Sequence, residues 1–154
     1  VSDNNNVLDR SIYEDALFTK VNHLQGNISV EEMDIYNDLL DNMMEELDGI
    51  PKKAPDLLIY LDGSFEMILE RIKKRGRDFE QIDDNPDLLA YYRLLYDNYE
   101  QWYQDYDYSA KIKLSIDQYD IVECMEDKQA VLDIIENALA EARSTEAMAA
   151  FTVK

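Results

Sequence analysis

Pro55-Asp-Leu-Leu-Ile-Tyr-Leu-Asp62 is a near-continuous apolar run bounded by a proline and an aspartate. A strand with one wet face alternates apolar and polar residues. This run does not alternate, so it reads as a strand buried on both faces, the pattern of a parallel sheet. The helix expected next runs from Ser64 to about Arg75, where Gly76 interrupts it. Asp83 to Pro86 reads as a turn, and Leu88 to about Tyr103 as a further helix. Lys111-Ile-Lys-Leu-Ser-Ile-Asp117 reads as another strand, and Glu126 to about Arg143 as the last helix. Upstream, Val7-Leu8 reads as the end of a short buried strand. Ser11 with Glu14, and Ser29 with Glu32, have the spacing of capping boxes. They open helices to about Gln25 and about Leu47, the second stopped by Asp48-Gly-Ile-Pro51. Strands joined by helical crossovers imply an α/β fold: a three-layer parallel sheet with helices on both faces. Residues 1–143 are expected to form one partial domain, and residues 144–154 a tail that frays or extends the last helix.

Charge is distributed unevenly over this scaffold. The 154-residue chain carries a formal net charge of -19, which argues against nucleic acid and anionic membranes as general partners. Yet Arg71, Lys73, Lys74, Arg75 and Arg77 fall within one short run. Like charges this close repel unless an anion lies among them. Guanidinium groups suit phosphate, whose oxygens accept their paired N–H bonds. A phosphate clamp is one reading, and a solvated basic helix end facing the negative pole of the helix macrodipole is the other. Cys124 is the only cysteine and His23 the only histidine, so neither an intrachain disulfide nor a zinc site of the usual ligands can form. With no signal peptide and no apolar run long enough to span a bilayer, a cytoplasmic setting is expected. Seven of the eleven tyrosines lie between Tyr91 and Tyr108, where they are expected to line a helix face with hydroxyls at the surface.

Two motifs carry a family resemblance. Leu8-Asp-Arg-Ser-Ile-Tyr-Glu-Asp15 resembles the acidic-Arg-Ser motif of the deoxynucleoside kinases, and Arg71-Ile-Lys-Lys-Arg-Gly-Arg-Asp-Phe-Glu80 resembles their lid. The strand at 55–62 before the lid helix is similar to theirs as well, and the likeness runs from about Val7 to Leu139, closest to bacterial deoxyadenosine/deoxyguanosine kinases. It implies transfer of the terminal phosphoryl group of ATP, with Mg2+, to the 5′-hydroxyl of a deoxynucleoside, purine deoxynucleosides foremost. By the same resemblance Arg71, Arg75 and Arg77 would surround the moving phosphoryl group. Arg10 would orient phosphate and the catalytic carboxylate, and Asp9 would take the acidic position linked to magnesium. Asp15 would hydrogen-bond the nucleobase, Phe18 would pack on it, and Glu80 would contact the sugar. The family implies a homodimer through the helices at 11–25 and 29–47, although the stripe containing Met43, Met44 and Leu47 equally suits a core. Each site residue has a plainer reading: Asp9-Arg10 as a local ion pair, Phe18 as core, Glu80 as a solvated acid.

The departure from the family is large. Its Gly-x-x-x-x-Gly-Lys-Ser/Thr loop, which cradles ATP phosphates, has no counterpart among the glycines at 26, 49, 63 and 76. The catalytic carboxylate that follows the loop and the base-reading glutamine are missing too. Ser2-Asp-Asn-Asn-Asn6 leads from Val1 straight into apolar residues, like a loop feeding a strand in mid-fold. The chain is therefore expected to be the C-terminal part of a longer kinase, with the first strands of the sheet absent. A catalytically inactive dimerising or regulatory remnant of the same fold is the alternative, and a relative of the thymidylate kinases a weaker third.

Overall fold

In chain order the elements are α1 (Ile12–Leu24), α2 (Val30–Glu46), β1 (Leu57–Asp62), α3 (Phe65–Arg75), α4 (Pro86–Asp105), β2 (Ala110–Ser115) and α5 (Met125–Thr152), with a 3-10 turn at Asp78–Glu80. The structure, a computed structural model, describes residues 6–46 and 54–152. The chain divides into two compact units, one of Val1–Ile50 with Ile82–Gln104 and one of Pro51–Gln81 with Asp105–Lys154.

The two apolar runs become neighbours in the second unit. β1 and β2 pair in parallel, Leu57 opposite Ala110 through to Asp62 opposite Ser115. The Ile116 amide donates to the Asp62 carbonyl at 2.7 Å, extending the ladder by one bond. α5 packs on both strands, where Leu114 and Val131 are buried. Arg143 fixes the far end of α5 by donating from Nε and Nη2, each at 2.9 Å, to Oδ2 of Asp56 at the start of β1. At the other end of β1 the chain turns through Gly63, where an added Cβ would lie 2.5 Å from Cγ1 of Ile116. β2 is shorter than the sequence suggests because Asp117 leaves the ladder. Its carboxylate accepts from the Ser64 amide at 2.7 Å and the Ser64 hydroxyl at 3.1 Å. Ser64 in turn caps α3, and Gly76 ends that helix in the left-handed region at φ 68°.

The first unit is built on α1. Leu17 and Val21 are its buried positions, one turn apart. α2 packs against α1. On the α4 side, the Trp102 indole N–H donates to the Tyr13 carbonyl at 3.0 Å, and the Tyr99 hydroxyl donates to the Glu14 carboxylate. Two tyrosine and tryptophan rings of α4 meet edge to face, at 5.9 Å between Tyr99 and Trp102. Tyr99 thus points its hydroxyl into a contact rather than at the surface.

Several expectations change here. Val7 and Leu8 are not in a strand; they are 97% and 78% exposed, since no strand among the described residues lies beside them to pair with. Ser11 does take the N-cap position of α1, but the box does not close: the Glu14 amide donates to the Ser11 carbonyl at 3.1 Å rather than to its side chain, and the Glu14 carboxylate is engaged by Tyr99. The box at Ser29 and Glu32 does close, with bonds of 2.8 and 3.2 Å. Pro86 belongs to α4 rather than to the turn. It takes the first helical position, where its missing N–H costs nothing, behind the Asn85 side chain that caps Leu88 N–H at 3.0 Å. Residues from 144 to 152 continue α5. Leu47 and the stop at 48–51 lie outside the described residues.

Candidate active site

The start of α1 and one face of α2 enclose an open pocket of about 590 Å3. Asp9, Arg10, Asp15 and Phe18, all singled out from the sequence, line it together with Ser11 and Tyr36. Each is placed by local backbone. Arg10 turns the chain into α1 at φ 72°, a left-handed conformation that costs a non-glycine residue on the order of 1 kcal/mol or more. That turn lays its guanidinium 4.4 Å above the Phe18 ring. The ring is braced by Tyr99, which meets it edge-on at 6.2 Å. Cation and aromatic face attract through the ring quadrupole, so Phe18 holds a charge that is exposed to the pocket. Asp15, in the first turn of α1, is exposed and accepts a hydrogen bond at 3.0 Å from the Tyr36 hydroxyl of α2. Partial burial, with Asp15's charge adding to it, pushes the Tyr36 phenol above its ordinary range. The Ser11 hydroxyl oxygen is buried and makes no hydrogen bond.

Tyr36 was not foreseen. The available signal was its place on the partly buried stripe of α2, with Met33 and Leu40. Helical spacing says which face a residue lies on; it does not say that a carboxylate sits opposite.

In the second unit the basic run separates into two groups. Arg71 and Arg75 are four residues apart, yet their heads go to different places. Arg71 donates from Nη2 to the Ile116 carbonyl at 3.2 Å, at the exit of β2, and Lys74 pairs with Glu123 at 2.7 Å in the same connection. The hydrogen bond to Glu123 and its charge raise the Lys74 pKa. Arg75 and Arg77 instead converge on Glu80, at 2.7 and 3.3 Å to its two oxygens. The 3-10 turn brings Glu80 back under the helix end, leaving its side chain 13% exposed. Gln81 ties the turn down by donating to the carbonyls of Ile72 and Arg77 at 3.3 and 3.0 Å. Both arginines are about half exposed, at 50% and 56%. Ion pairs this open are weak, so an incoming anion can compete for the guanidinium groups.

Parallel strands crossed by helices, with this polar pocket and arginine-rich helix end, define an α/β protein of the parallel-sheet class. The chain matches the family model for deoxynucleoside kinase over residues 1–140, and it belongs to the deoxynucleoside kinase family. It is 50% identical to a deoxyguanosine kinase of Lactobacillus johnsonii over 92% of this chain and 63% of that protein. It is 49% identical to a deoxyadenosine kinase of Lactobacillus acidophilus over 92% of this chain and 66% of that protein. Among solved structures it is similar to deoxyadenosine kinase from M. mycoides with bound dCTP, at TM-score 0.65 and 25% identity, covering 83% of this chain and 62% of that one. The chain thus spans just under two thirds of the length of these relatives, and its fold is theirs.

Proposed function

We propose that this chain supplies the acceptor pocket and the lid of a kinase that moves the terminal phosphoryl group of ATP to the 5′-hydroxyl of a deoxynucleoside, purine deoxynucleosides foremost. The observation that carries this reading is the meeting of Arg10, Asp15 and Phe18 on one open pocket of about 590 Å3, within the roughly 300–1,000 Å3 usual for small-molecule sites. Asp15 offers an acceptor for a donor on the base edge, and Phe18, whose ring the Arg10 guanidinium covers at 4.4 Å, would pack on the base once that cation swings toward phosphate. Arg10, held over Phe18, brings a positive charge to the side where a phosphoryl group would arrive.

Phosphoryl transfer needs positioning and neutralisation of moving charge more than covalent help. Arg75 and Arg77 suit the second task, since Glu80 holds them together until phosphate replaces it. Release of Glu80 would free that carboxylate for the sugar. Arg71 and Lys74, engaged at the β2 exit, are better placed to hold α3 steady than to meet the phosphoryl group. Magnesium binds through one or two carboxylates plus phosphate oxygens rather than in an all-protein cage. Asp9, an exposed hard-oxygen donor beside Arg10, fits that partial demand, and no cluster of three such ligands exists among the described residues. When bound, the ion would neutralise charge on the transferred phosphate. A homodimer through α1 and α2 is supported by the apolar side chains they leave open, Ile35 at 67% and Leu39 at 57% exposure. No described helix is long and apolar enough to cross a membrane. A cytoplasmic enzyme with nucleoside and ATP, rather than nucleic acid, as partners agrees with the charge.

Isothermal titration of the chain with deoxyadenosine, deoxyguanosine and deoxycytidine tests the reading. Saturable binding that Phe18→Ala and Asp15→Ala each weaken supports it; no binding of any of the three sinks it. The exposed apolar side chains of α2, Ile35 and Leu39, suit a second reading as well, a catalytically inactive dimerising or regulatory remnant of the same fold. Binding without turnover, even when the segment is completed by the amino-terminal part of a relative, would select that one.

A further inference from the structure

Asp15 faces the pocket with its two oxygens in different states. Oδ2 accepts from the Tyr36 hydroxyl at 3.0 Å, while no donor among the described residues reaches Oδ1. The Thr19 hydroxyl, one turn on, donates to the Asp15 carbonyl at 3.1 Å and so leaves the carboxylate to Tyr36. A carboxylate on a single χ2 torsion would otherwise rotate freely and present either oxygen, or both.

We infer that Tyr36 is a positioning residue for base selection: by occupying Oδ2 of Asp15 it leaves the pocket one acceptor atom, which favours a base edge offering a single amino group over one offering two adjacent N–H donors. The inference rests on the reading of the pocket as a deoxynucleoside site and adds to it the group that sets its preference. Adenine and cytosine present one exocyclic amino donor beside a ring acceptor. Guanine presents a ring N–H next to its amino group, a pair that a carboxylate with both oxygens free would bind in parallel, as it does an arginine fork. Tyr36 blocks that two-point arrangement by holding one of the oxygens. Tyr36 sits on the α2 wall of the pocket, bonded to Asp15, so its removal is expected to change which nucleoside binds.

The experiment is equilibrium dialysis of the chain and of Tyr36→Phe with labelled deoxyadenosine, deoxyguanosine and deoxycytidine. The phenyl ring keeps the packing and loses only the hydroxyl. The affinity for deoxyguanosine relative to deoxyadenosine should rise about tenfold, the order expected for one hydrogen bond to a charged group. An unchanged ratio overturns the inference. So does an equal loss for all three nucleosides, which a looser seam between α1 and α2 would give. If the variant fails to fold, the wild-type chain labelled at tyrosine Cζ answers instead: the Tyr36 carbon resonance must move when deoxyadenosine is added, and a resonance that stays put at saturation overturns the inference. A wild-type chain that binds no nucleoside overturns the reading of the pocket and this inference with it, whereas binding with unaltered ratios overturns this inference alone.

Discussion

Arg10 and Tyr36 show what a single residue can reveal about a site. A left-handed arginine at φ 72° is uncommon, and here the distortion places its charge over an aromatic ring at a pocket mouth. Replacing Arg10 by glycine should relieve the backbone while removing the charge. We expect thermal stability of the chain to be held or slightly raised, read by calorimetry, while phosphoryl transfer is lost in an active kinase made by completing the chain with a relative's amino-terminal part. Tyr36 has a pH signature. Its phenol pKa is raised by partial burial first and by Asp15 second, so the neutral form is favoured in the fold. Its contribution is complete below the unfolded tyrosine value of about 10 and is lost only as pH rises through the higher folded value. The α1–α2 seam should therefore hold unchanged across neutral pH and weaken only in strong alkali. A carbon-13 titration of Tyr36 with and without Asp15→Asn checks this, the asparagine variant titrating lower. In the lid, Arg77→Ala should slow phosphoryl transfer by roughly 10²–10³-fold, as loss of an electrostatic donor does, while nucleoside affinity stays nearly intact. The assay needs an active kinase carrying this lid, such as the chain completed by a relative's amino-terminal part. Strong loss of affinity with the rate preserved would contradict the assignment.

At the level of elements, packing constrains the turns more tightly than sequence pattern suggests. Gly63 sits where β1 passes into α3, and a methyl group there would meet Ile116 at 2.5 Å. Gly63→Ala should cost about 1–3 kcal/mol, the range for overpacking, and Ile116→Ala should recover part of that loss in a double-mutant cycle read by denaturant unfolding. α2 offers a second test. The Ser29 amide holds the Glu32 carboxylate below its ordinary pKa, so the capping box contributes above the unfolded glutamate value and is lost as pH falls through the lower folded value. Exchange of the Ser29 amide should accelerate in that acid window, and Glu32→Gln should abolish the acceleration. These same elements show what was legible in the sequence. The parallel strand pair could be read because apolar runs and helical spacing are properties of single segments. The box at Ser29 was legible for the same reason. The matching signature at Ser11 failed because Glu14 had a better partner in Tyr99, 85 positions away. The end of β2 was missed likewise, since Asp117 leaves the ladder to bond Ser64, the cap of α3, across a gap of 53 residues. The site follows this rule: its residues lie in two short motifs and were visible, whereas Tyr36, and the division of the basic run between Glu80 and the β2 exit, depend on partners that no local pattern names.

At the scale of the whole molecule, charge and the lack of a glycine-rich loop in this sequence together separate the two proposed ligands. A deoxynucleoside is neutral, so a chain of net charge -19 neither attracts nor repels it strongly. ATP is a polyanion, and within this sequence its phosphates find neither a glycine-rich loop with its lysine nor the backbone nest that such a loop provides. The exposed Lys74, Arg75 and Arg77 of the basic run are the main counterweight, and Glu123 and Glu80 already offset them in part. The 154-residue chain by itself should therefore bind deoxynucleosides with little dependence on salt, bind ATP poorly, and bind it somewhat better as added salt screens the repulsion. Turnover should be negligible. Titrations of deoxyadenosine and of ATP at low and high ionic strength, followed by a transfer assay, give the comparison. Tight ATP binding at low salt, or transfer near the ordinary enzyme range of roughly 1–10³ per second, would mean that the basic run is a donor-phosphate site in its own right. The lid would then need no partner segment to hold the nucleotide it acts on.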